Sequence, residues 1–245
     1  MEEAAAPQAT GNDLLDRLAP ETLAALVEAS RPVHLPQRDT LWQPGGRVDH
    51  VYFPLTGVVS LLAMTSEGAS VEVATVGHEG MVGLPAFLGQ RHRAPGCALS
   101  QIPGEGLLID ADRFQAIVAG HRAFGDLLRR YTNAILIHVT QGAICNRLHS
   151  VEQRLVRWIL EMDDRIGPEE LPVTHEFLAL MLGVRRASVT EAVAQLERGG
   201  ALAHERGRIR VLDHDGLAAR ACECYSVVRQ AYDDLLDGGA PGPDA

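Results

Sequence analysis

The sequence is short of several features that would mark a function class at once. Its four cysteines, Cys97, Cys145, Cys222 and Cys224, form no Cys-x-x-Cys pair, so their spacing offers no metal or redox motif and we expect packed thiols. No apolar run reaches the roughly 18 residues needed to cross a bilayer. The first residues also lack the charged and apolar regions of a secretory signal. We expect a protein of the reducing cytoplasm with no membrane partner.

An excess of basic residues is also missing, because the formal net charge is -10. That balance argues at first against a nucleic-acid partner, since phosphate contacts supply most nonspecific affinity. Between positions 183 and 210, however, six arginines stand against three glutamates, a local balance of +3. A positive patch on an acidic body is enough to orient a protein on a duplex.

The hydrophobic periodicity divides residues 12–166 of the 245-residue chain into three blocks. Residues 12–30 have helical spacing, residues 31–110 form short β-rich runs punctuated by Gly and Pro, and residues 112–166 are helical again. The middle block predicts a small β-roll or jelly roll, and the tails, 1–11 and 238–245, read as frayed ends.

One hairpin within the β-rich block can be placed from its turn residues. Ser66-Glu67-Gly68 predicts a tip with Gly68 in the left-handed region. We expect the flanking strands to bury four aliphatic side chains: Val59, Leu61, Val71 and Val73.

The long helical block carries a stripe with alternating steps of four and three residues, the spacing of a coiled-coil contact. Its members are Leu128, Tyr131, Ile135, His138, Gly142 and Cys145. We expect two copies of the chain to pair along this stripe. Residues 148–150 interrupt it as a hinge, and Gly167 with Pro168 ends the following helix.

The segment after that break has the pattern of a winged helix-turn-helix. Thr174 can cap a first helix, and Gly183 supplies the positive φ of a tight turn between helices. Four apolar residues of the second helix then share one face: Val184, Val189, Val193 and Leu196. The opposite face is exposed and predicted to read DNA.

The order β-roll, long helix, hinge and winged helix-turn-helix resembles the Crp/Fnr family of bacterial transcription regulators. The resemblance runs from about residue 13 to 213, and five residues stand at the family's pattern positions in the helix-turn-helix: Thr174, Leu178, Gly183, Arg186 and Val189. It implies an α+β fold with a β-roll or jelly-roll sensor domain at 12–122, a dimerisation helix and hinge at 123–148, and a DNA-binding domain with a C-terminal helix at 149–236.

The same resemblance implies a homodimer that binds double-stranded DNA and works with RNA polymerase, while the sensor domain binds an effector. A two-fold dimer predicts a near-palindromic operator with half-site centres about 10 bp, or ~34 Å, apart. We expect no enzymatic activity.

Specific DNA contacts follow from side-chain chemistry. Arg186 can reach guanine O6 and N7 with its fork, and Glu191 can accept from a cytosine amino group. We expect the other contacts to go to bases or phosphates. The full predicted set is Thr174, His175, Arg185, Arg186, Ser188, Thr190, Glu191, Arg206, Arg208 and Arg210.

The sensor half departs from the nucleotide-binding pattern of the family, in which a Gly-Glu-Leu turn precedes an Arg-Ser or Arg-Thr pair. Here the matching stretches are Gly83-Leu84-Pro85 and Arg93-Ala94, so the carboxylate and the hydroxyl are both missing. Arg93 with Thr140 and Gln141 remains the candidate effector site. We expect no tight cyclic AMP binding, and either another small-molecule effector or none.

Other chemistries fit the sequence less well. The iron–sulfur members of the family use N-terminal cysteines, which are missing before Cys97. A haem could use His78, His92 or His138, but isolated histidines are more often packing residues. A cupin-like metal enzyme would need a His-x-His pair, where this chain has Arg91-His92-Arg93. We therefore expect no metal.

A dimeric sensor that acts through protein partners stays open as the alternative to DNA binding.

Overall fold

The computed structural model describes residues 9–89, 93–167 and 170–237. The N-terminal half contains α1 (Asp13–Asp16), α2 (Pro20–Ala29), β1 (Ser30–Leu35), β2 (Thr40–Trp42), β3 (His50–Pro54), β4 (Val58–Met64), β5 (Ser70–Val76), α3 (Leu84–Leu88), β6 (Cys97–Ile102) and β7 (Gly104–Asp110). The C-terminal half contains α4 (Ala111–Gly120), α5 (Arg122–Leu148), α6 (Val151–Ile166), α7 (His175–Leu182), α8 (Arg186–Arg198), β8 (Leu202–Glu205), β9 (Arg208–Val211), α9 (His214–Ala218) and α10 (Glu223–Leu236). The expected α+β class is confirmed.

The strands β1 to β7 form two antiparallel sheets, in the orders β1-β7-β3 and β2-β6-β4-β5. The core includes Phe53, Phe114 and Phe124, which are almost fully buried. Within the described residues, no helix has the combination of length and apolarity that crossing a membrane requires.

The hairpin between β4 and β5 has the expected tip, and Gly68 takes a φ of 87°. Its burial is different from the expectation. Val59 is fully buried, but Leu61, Val71 and Val73 are only half-buried, and the polar Glu72 is buried instead. The register of β4 against β5 shifts between Leu61 and Leu62. Such a bulge interrupts the alternation of faces on which the expectation rested.

The interruption after the long helix is confirmed. Helix α5 ends at Leu148, and α6 begins behind Ser150, which caps it. The Ser150 side chain accepts from the Gln153 backbone, while the Gln153 side chain accepts from the Ser150 N–H, a reciprocal capping box. Gly167 terminates α6 with a φ of 71°, and Pro168 lies outside the described residues.

The stripe on α5 faces the interior of its own subunit, so the expectation that it forms the contact between two copies is wrong. Its members are buried: Leu128, Tyr131, Ile135, His138, Gly142 and Cys145. Tyr131 donates a 2.7 Å hydrogen bond to the Met81 carbonyl, and Gly142 lies against the backbone of Val73. The chain's own sheet and α10 cover the stripe as a partner helix would.

Helix α10 packs along α5 and also contacts α6. Its Val228, Tyr232 and Leu235 belong to the core of the N-terminal half. Conversely, Val58 and Leu62 of β4 share a core with the helix-turn-helix. The expected boundary at 149 therefore does not separate two independent cores, because side chains of each half pack in the core of the other.

Candidate nucleic-acid interface and sensor cavity

The helix-turn-helix is built by local rules that place its side chains. The Thr174 hydroxyl accepts from the Phe177 N–H at 3.2 Å and caps α7. Gly183 has φ 61° and ψ 40°, the left-handed conformation that ends α7 and turns the chain into α8. The side of α8 that meets the core is buried at Val189, Val193 and Leu196.

The opposite side of α8 is open to solvent. Arg185, Arg186, Thr190 and Glu191 are exposed, and Ser188 is half-buried. This face therefore presents two guanidiniums, two hydroxyls and one carboxylate, which are groups able to bond to base edges and phosphates.

Arg186 is held by a partner that the sequence did not point to. Its Nη1 lies 2.7 Å from Oε1 of Glu176 in the first turn of α7, and the two side chains are 65% and 61% exposed. An exposed pair contributes at most about 1 kcal/mol. An incoming phosphate or guanine can therefore displace Glu176 at small cost.

His175 links the two helices to the β8–β9 hairpin. Its Nδ1 lies 3.0 Å from the Thr190 hydroxyl, and its ring stacks on His204 at 4.3 Å between centroids. Burial, followed by the neighbouring His204 and Arg186, lowers the pKa of His175 below its ordinary value. At neutral pH this imidazole is uncharged. Its Nδ1 is engaged with Thr190, and its Nε2 is buried without a hydrogen-bond partner among the described residues, so the ring positions its neighbours and adds no positive charge to the surface.

The β8–β9 hairpin is a wing with a two-residue turn. Glu205 pairs with Arg208, and both intervening residues, Arg206 and Gly207, have positive φ values of 50° and 76°. These values match a type I′ turn, which suits the twist of a hairpin. Arg206, Arg208 and Arg210 are exposed, and the sequence contains no lysine. Every cationic side chain on this surface except a protonated histidine is thus a guanidinium, which can bind phosphate in a bidentate manner.

A cavity of about 920 Å³ lies between the sheet of β4 and β5, helix α3 and helix α5. Its walls are mainly apolar and include Trp42, Leu61, Val73, Leu84, Ile135 and Val139. Among the described residues that line it, Arg93 alone is charged, and its Nη1 donates a 2.7 Å hydrogen bond to the Gly45 carbonyl. Thr140 is exposed and Gln141 half-buried, and neither lines the cavity. Arg93 therefore lines the cavity, whereas the two residues expected beside it do not.

Buried charges join the sensor half to α6. Arg165 of α6 lies 2.8 Å from Glu79, which follows β5. Arg157 lies 2.6 Å from Glu161, whose other oxygen is 3.5 Å from Nε2 of His138 on α5. Burial raises the pKa of Glu161, but the charge of Arg157, followed by that of His138, outweighs burial and lowers it below the ordinary value. These pairs hold ionised groups at the joint between the two halves.

Glu72 lies in the same region and is hydrogen-bonded to a serine. The Ser60 hydroxyl donates to its carboxylate at 2.6 Å and also contacts Met181 of α7 at 3.9 Å. Burial raises the pKa of Glu72 to about 7. A carboxyl that titrates near neutral pH therefore lies beneath the helix-turn-helix.

The histidines considered for haem have other roles where they are described. His78 pairs with Asp13 at 2.9 Å and His138 with Glu161, and His92 lies outside the described residues. The four cysteines are buried, as expected of packed thiols, and Cys145, Cys222 and Cys224 form one cluster although 77 residues separate Cys145 from Cys222.

Comparison with known proteins defines the class. Residues 32–121 match the model of the cyclic nucleotide-binding domain, and residues 153–220 match that of the Crp-like helix-turn-helix domain. A cyclic nucleotide-binding type of domain followed by a Crp-like helix-turn-helix is the domain combination of a transcription regulator. The chain belongs to the Crp/Fnr family.

Individual relatives agree with that class. The chain is 23% identical over 210 residues to the CRP-like cAMP-activated global transcriptional regulator of Mycobacterium tuberculosis, covering 82% of this chain and 93% of the relative. It is 28% identical over 182 residues to the transcriptional regulator SdrP of Thermus thermophilus, covering 73% and 88%. It shares the fold of FixK2 from Bradyrhizobium japonicum with a TM-score of 0.67 and 17% identity, over 79% of this chain and 98% of that one.

Proposed function

We propose that two copies of this chain form a dimer that binds a near-palindromic operator, with α8 of each copy in a major groove, and that this complex meets RNA polymerase. The observation that carries the proposal is the open side of α8, where Arg186 and Glu191 are exposed while Val189 on the other side is buried. On this basis Arg186 reads a guanine and Glu191 a cytosine.

The remaining predicted contacts position the protein on the duplex. Thr174 and His175 stand at the start of α7, and a Cβ added at Gly207 of the wing would lie 3.4 Å from the Thr174 side chain. The start of α7 and the tip of the wing therefore form one continuous edge that suits a phosphate backbone. On this basis we assign Arg185, Ser188, Thr190, Arg206, Arg208 and Arg210 to base or phosphate contacts without a dominant reading role.

We place the dimer contact on the outer face of α5, opposite the buried stripe. This face exposes large apolar side chains, with Leu136 61%, Ile144 36% and Leu148 72% exposed. Asn133, Leu136, Thr140, Ala143 and Arg147 follow one another on it in steps of three and four residues, which is the spacing of two helices packed along their length.

We propose that the effector of the sensor half is an apolar or amphipathic small molecule rather than a cyclic nucleotide. A cavity of about 920 Å³ with mainly apolar walls fits a hydrophobic body, whereas a ribose phosphate needs several polar partners. Arg93 at its edge suits the anionic end of such a molecule.

Selection of bound duplexes from a random library tests the DNA proposal. We expect enrichment of a near-palindrome with half-site centres about 10 bp apart. In parallel, sedimentation compares the wild type with Leu136→Asp/Ile144→Asp and with Val27→Asp, a matched change at an exposed apolar residue of α2 (44% exposed). The double variant should be monomeric and lose at least about 100-fold in operator affinity, about 2.7 kcal/mol. A folded dimer that enriches no duplex would favour the sensor that acts through protein partners.

Calorimetry tests the effector proposal with three ligands, decanoate, decanol and cyclic AMP. We expect decanoate to bind more tightly than decanol, and Arg93→Gln to remove that preference. Arg122→Gln, a change at an arginine that is 96% exposed, serves as the control. Micromolar binding of cyclic AMP would overturn the proposal.

A further inference from the structure

Three cysteines and one histidine meet at the junction of the long helix with the C-terminal helix. Cys145 and His149 are four residues apart at the end of α5, and Cys222 and Cys224 stand at the start of α10. One ligand atom from each of the four residues lies within 4.8 Å of the other three. The cysteines are 0–5% exposed, and the His149 side chain is 13% exposed.

The spacing of these atoms fits a single tetrahedral ion. In a zinc site with Zn–S bonds of about 2.3 Å and Zn–N bonds of about 2.0 Å, neighbouring sulfurs lie ~3.8 Å apart and a sulfur and a nitrogen ~3.6 Å apart. The Sγ atoms of Cys145 and Cys222 are 3.6 Å apart, and Sγ of Cys224 is 3.6 Å from Nδ1 of His149. A polynuclear iron–sulfur cluster binds its cysteines through different metal atoms, so it needs wider spacing.

The surroundings also suit a metal. Nδ1 of His149 faces the thiols, while its Nε2 lies 3.4 Å from the Glu223 carboxylate. A metal-bound histidine commonly donates its second N–H to a carboxylate in this way, which fixes the tautomer and strengthens the ligand. The buried Arg157 of α6 also acts electrostatically on Cys145.

We propose that Cys145, His149, Cys222 and Cys224 bind one divalent transition-metal ion of the zinc type as a closed Cys3His site. Four protein ligands leave no open position, so the role is structural rather than catalytic. The ion would tie the end of α5 and the residue before Ser150 to the first turn of α10. It would thereby fix the hinge from which α6 carries the helix-turn-helix, independently of any effector in the sensor cavity.

Metal content and spectroscopy of the full chain, purified under reducing conditions without chelators, test this site. We expect about one zinc per chain, and after exchange with Co²⁺ the thiolate charge-transfer and visible bands of a tetrahedral site. Cys224→Ser should remove both signals, whereas Cys97→Ser, which changes a buried cysteine of β6 outside the cluster, should keep both. Since binding energy of this kind is also folding energy, chelation should lower the thermal midpoint of the wild type and leave Cys224→Ser unchanged.

Glu223→Gln provides a test that does not depend on a buried substitution. Its side chain is 69% exposed, so the variant should fold, and loss of the carboxylate should weaken zinc affinity 10- to 100-fold in a chelator competition. The proposal is overturned if the wild type holds less than about a tenth of an equivalent of metal after zinc is added. It is equally overturned if Cys224→Ser and Cys97→Ser retain the same metal content, or if mass spectrometry of the metal-free protein shows that Cys145 and Cys222 form a disulfide even under reducing conditions.

Discussion

The ion pairs on the exposed face of the helix-turn-helix and those buried between α6 and the sensor half differ in their exposure to solvent. Arg186 and Glu176 form a pair whose side chains are 65% and 61% exposed, so the two charges keep most of their hydration. Arg157 and Glu161 form a pair that is 8% and 4% exposed. An exposed pair is weak and exchangeable, whereas breaking a buried pair leaves a charge without water or partner. The surface is therefore suited to exchanging one anion for another, and the joint to holding one arrangement.

Removing the buried carboxylate should give the largest effect. Glu161→Gln leaves Arg157 buried without its counter-charge, and it also removes the carboxylate beside Nε2 of His138. We expect the free energy of unfolding to fall by about 3 to 5 kcal/mol in urea denaturation at pH 7. Glu152→Gln on the same helix, where the glutamate is 33% exposed and 3.9 Å from Arg220, is the control and should change it by less than about 1 kcal/mol. Equal losses in the two variants would show that burial does not separate the two kinds of pair.

The two regions also differ in how far they could be predicted from the sequence. Three local features of the helix-turn-helix could be predicted: the cap at Thr174, the turn at Gly183 and the wing turn at Arg206. Each depends only on residues a few positions away, so the local sequence is enough to predict it. The joint depends on contacts between distant segments. The bulge beside Leu61 turns Glu72 inward. The residues around Leu61 contain no sequence signal that predicts this bulge.

The faces of α5 show the same limit. The buried face carries a stripe in steps of three and four, and the outer face carries Leu136, Ile144 and Leu148 among polar residues, so the spacing alone does not tell which face meets the chain's own sheet. The stripe through Tyr131 does not meet a second copy, because β5 and α10 cover it. The cysteine cluster escaped prediction for a related reason, since α10 brings Cys222 to Cys145 from 77 residues away.

Glu72 should make the joint sensitive to pH. Its pKa is raised from 4.5 to about 7 by burial, so the folded protein prefers the neutral carboxyl. The contribution of this preference to the free energy of unfolding is fully present below about pH 4.5 and is lost as the pH rises through 7. We expect Glu72→Gln, which stays neutral, to be about 3 kcal/mol more stable than the wild type at pH 8 and to differ little at pH 4.5.

Urea denaturation at the two pH values measures this difference. Glu67→Gln at the exposed hairpin tip is the control and should follow the wild type at both. An advantage of Glu72→Gln that is the same at pH 4.5 and pH 8 would mean that packing, and not ionisation, distinguishes the two side chains.

Arg186 should matter for reading rather than for stability. Arg186→Ala should weaken binding to the selected operator by about 1 to 3 kcal/mol and relax one base position, with little change in binding to random duplex. Fluorescence anisotropy on both duplexes measures the two losses. Arg198→Ala, in the last turn of α8, removes the same charge from the same helix and should leave base preference intact. Equal losses of Arg186→Ala on operator and random duplex would remove the reading role.

The smallest effect should come from the exposed partner of Arg186. Glu176→Gln should alter the free energy of unfolding by less than about 1 kcal/mol, yet raise operator affinity up to about fivefold, because DNA no longer competes with a carboxylate for the guanidinium. Glu205→Gln removes one negative charge from the wing without touching the pair with Arg186, so it measures the general effect of charge. If both variants gain affinity equally, the gain reflects net charge, and the 2.7 Å contact between Arg186 and Glu176 does not restrain the reading side chain.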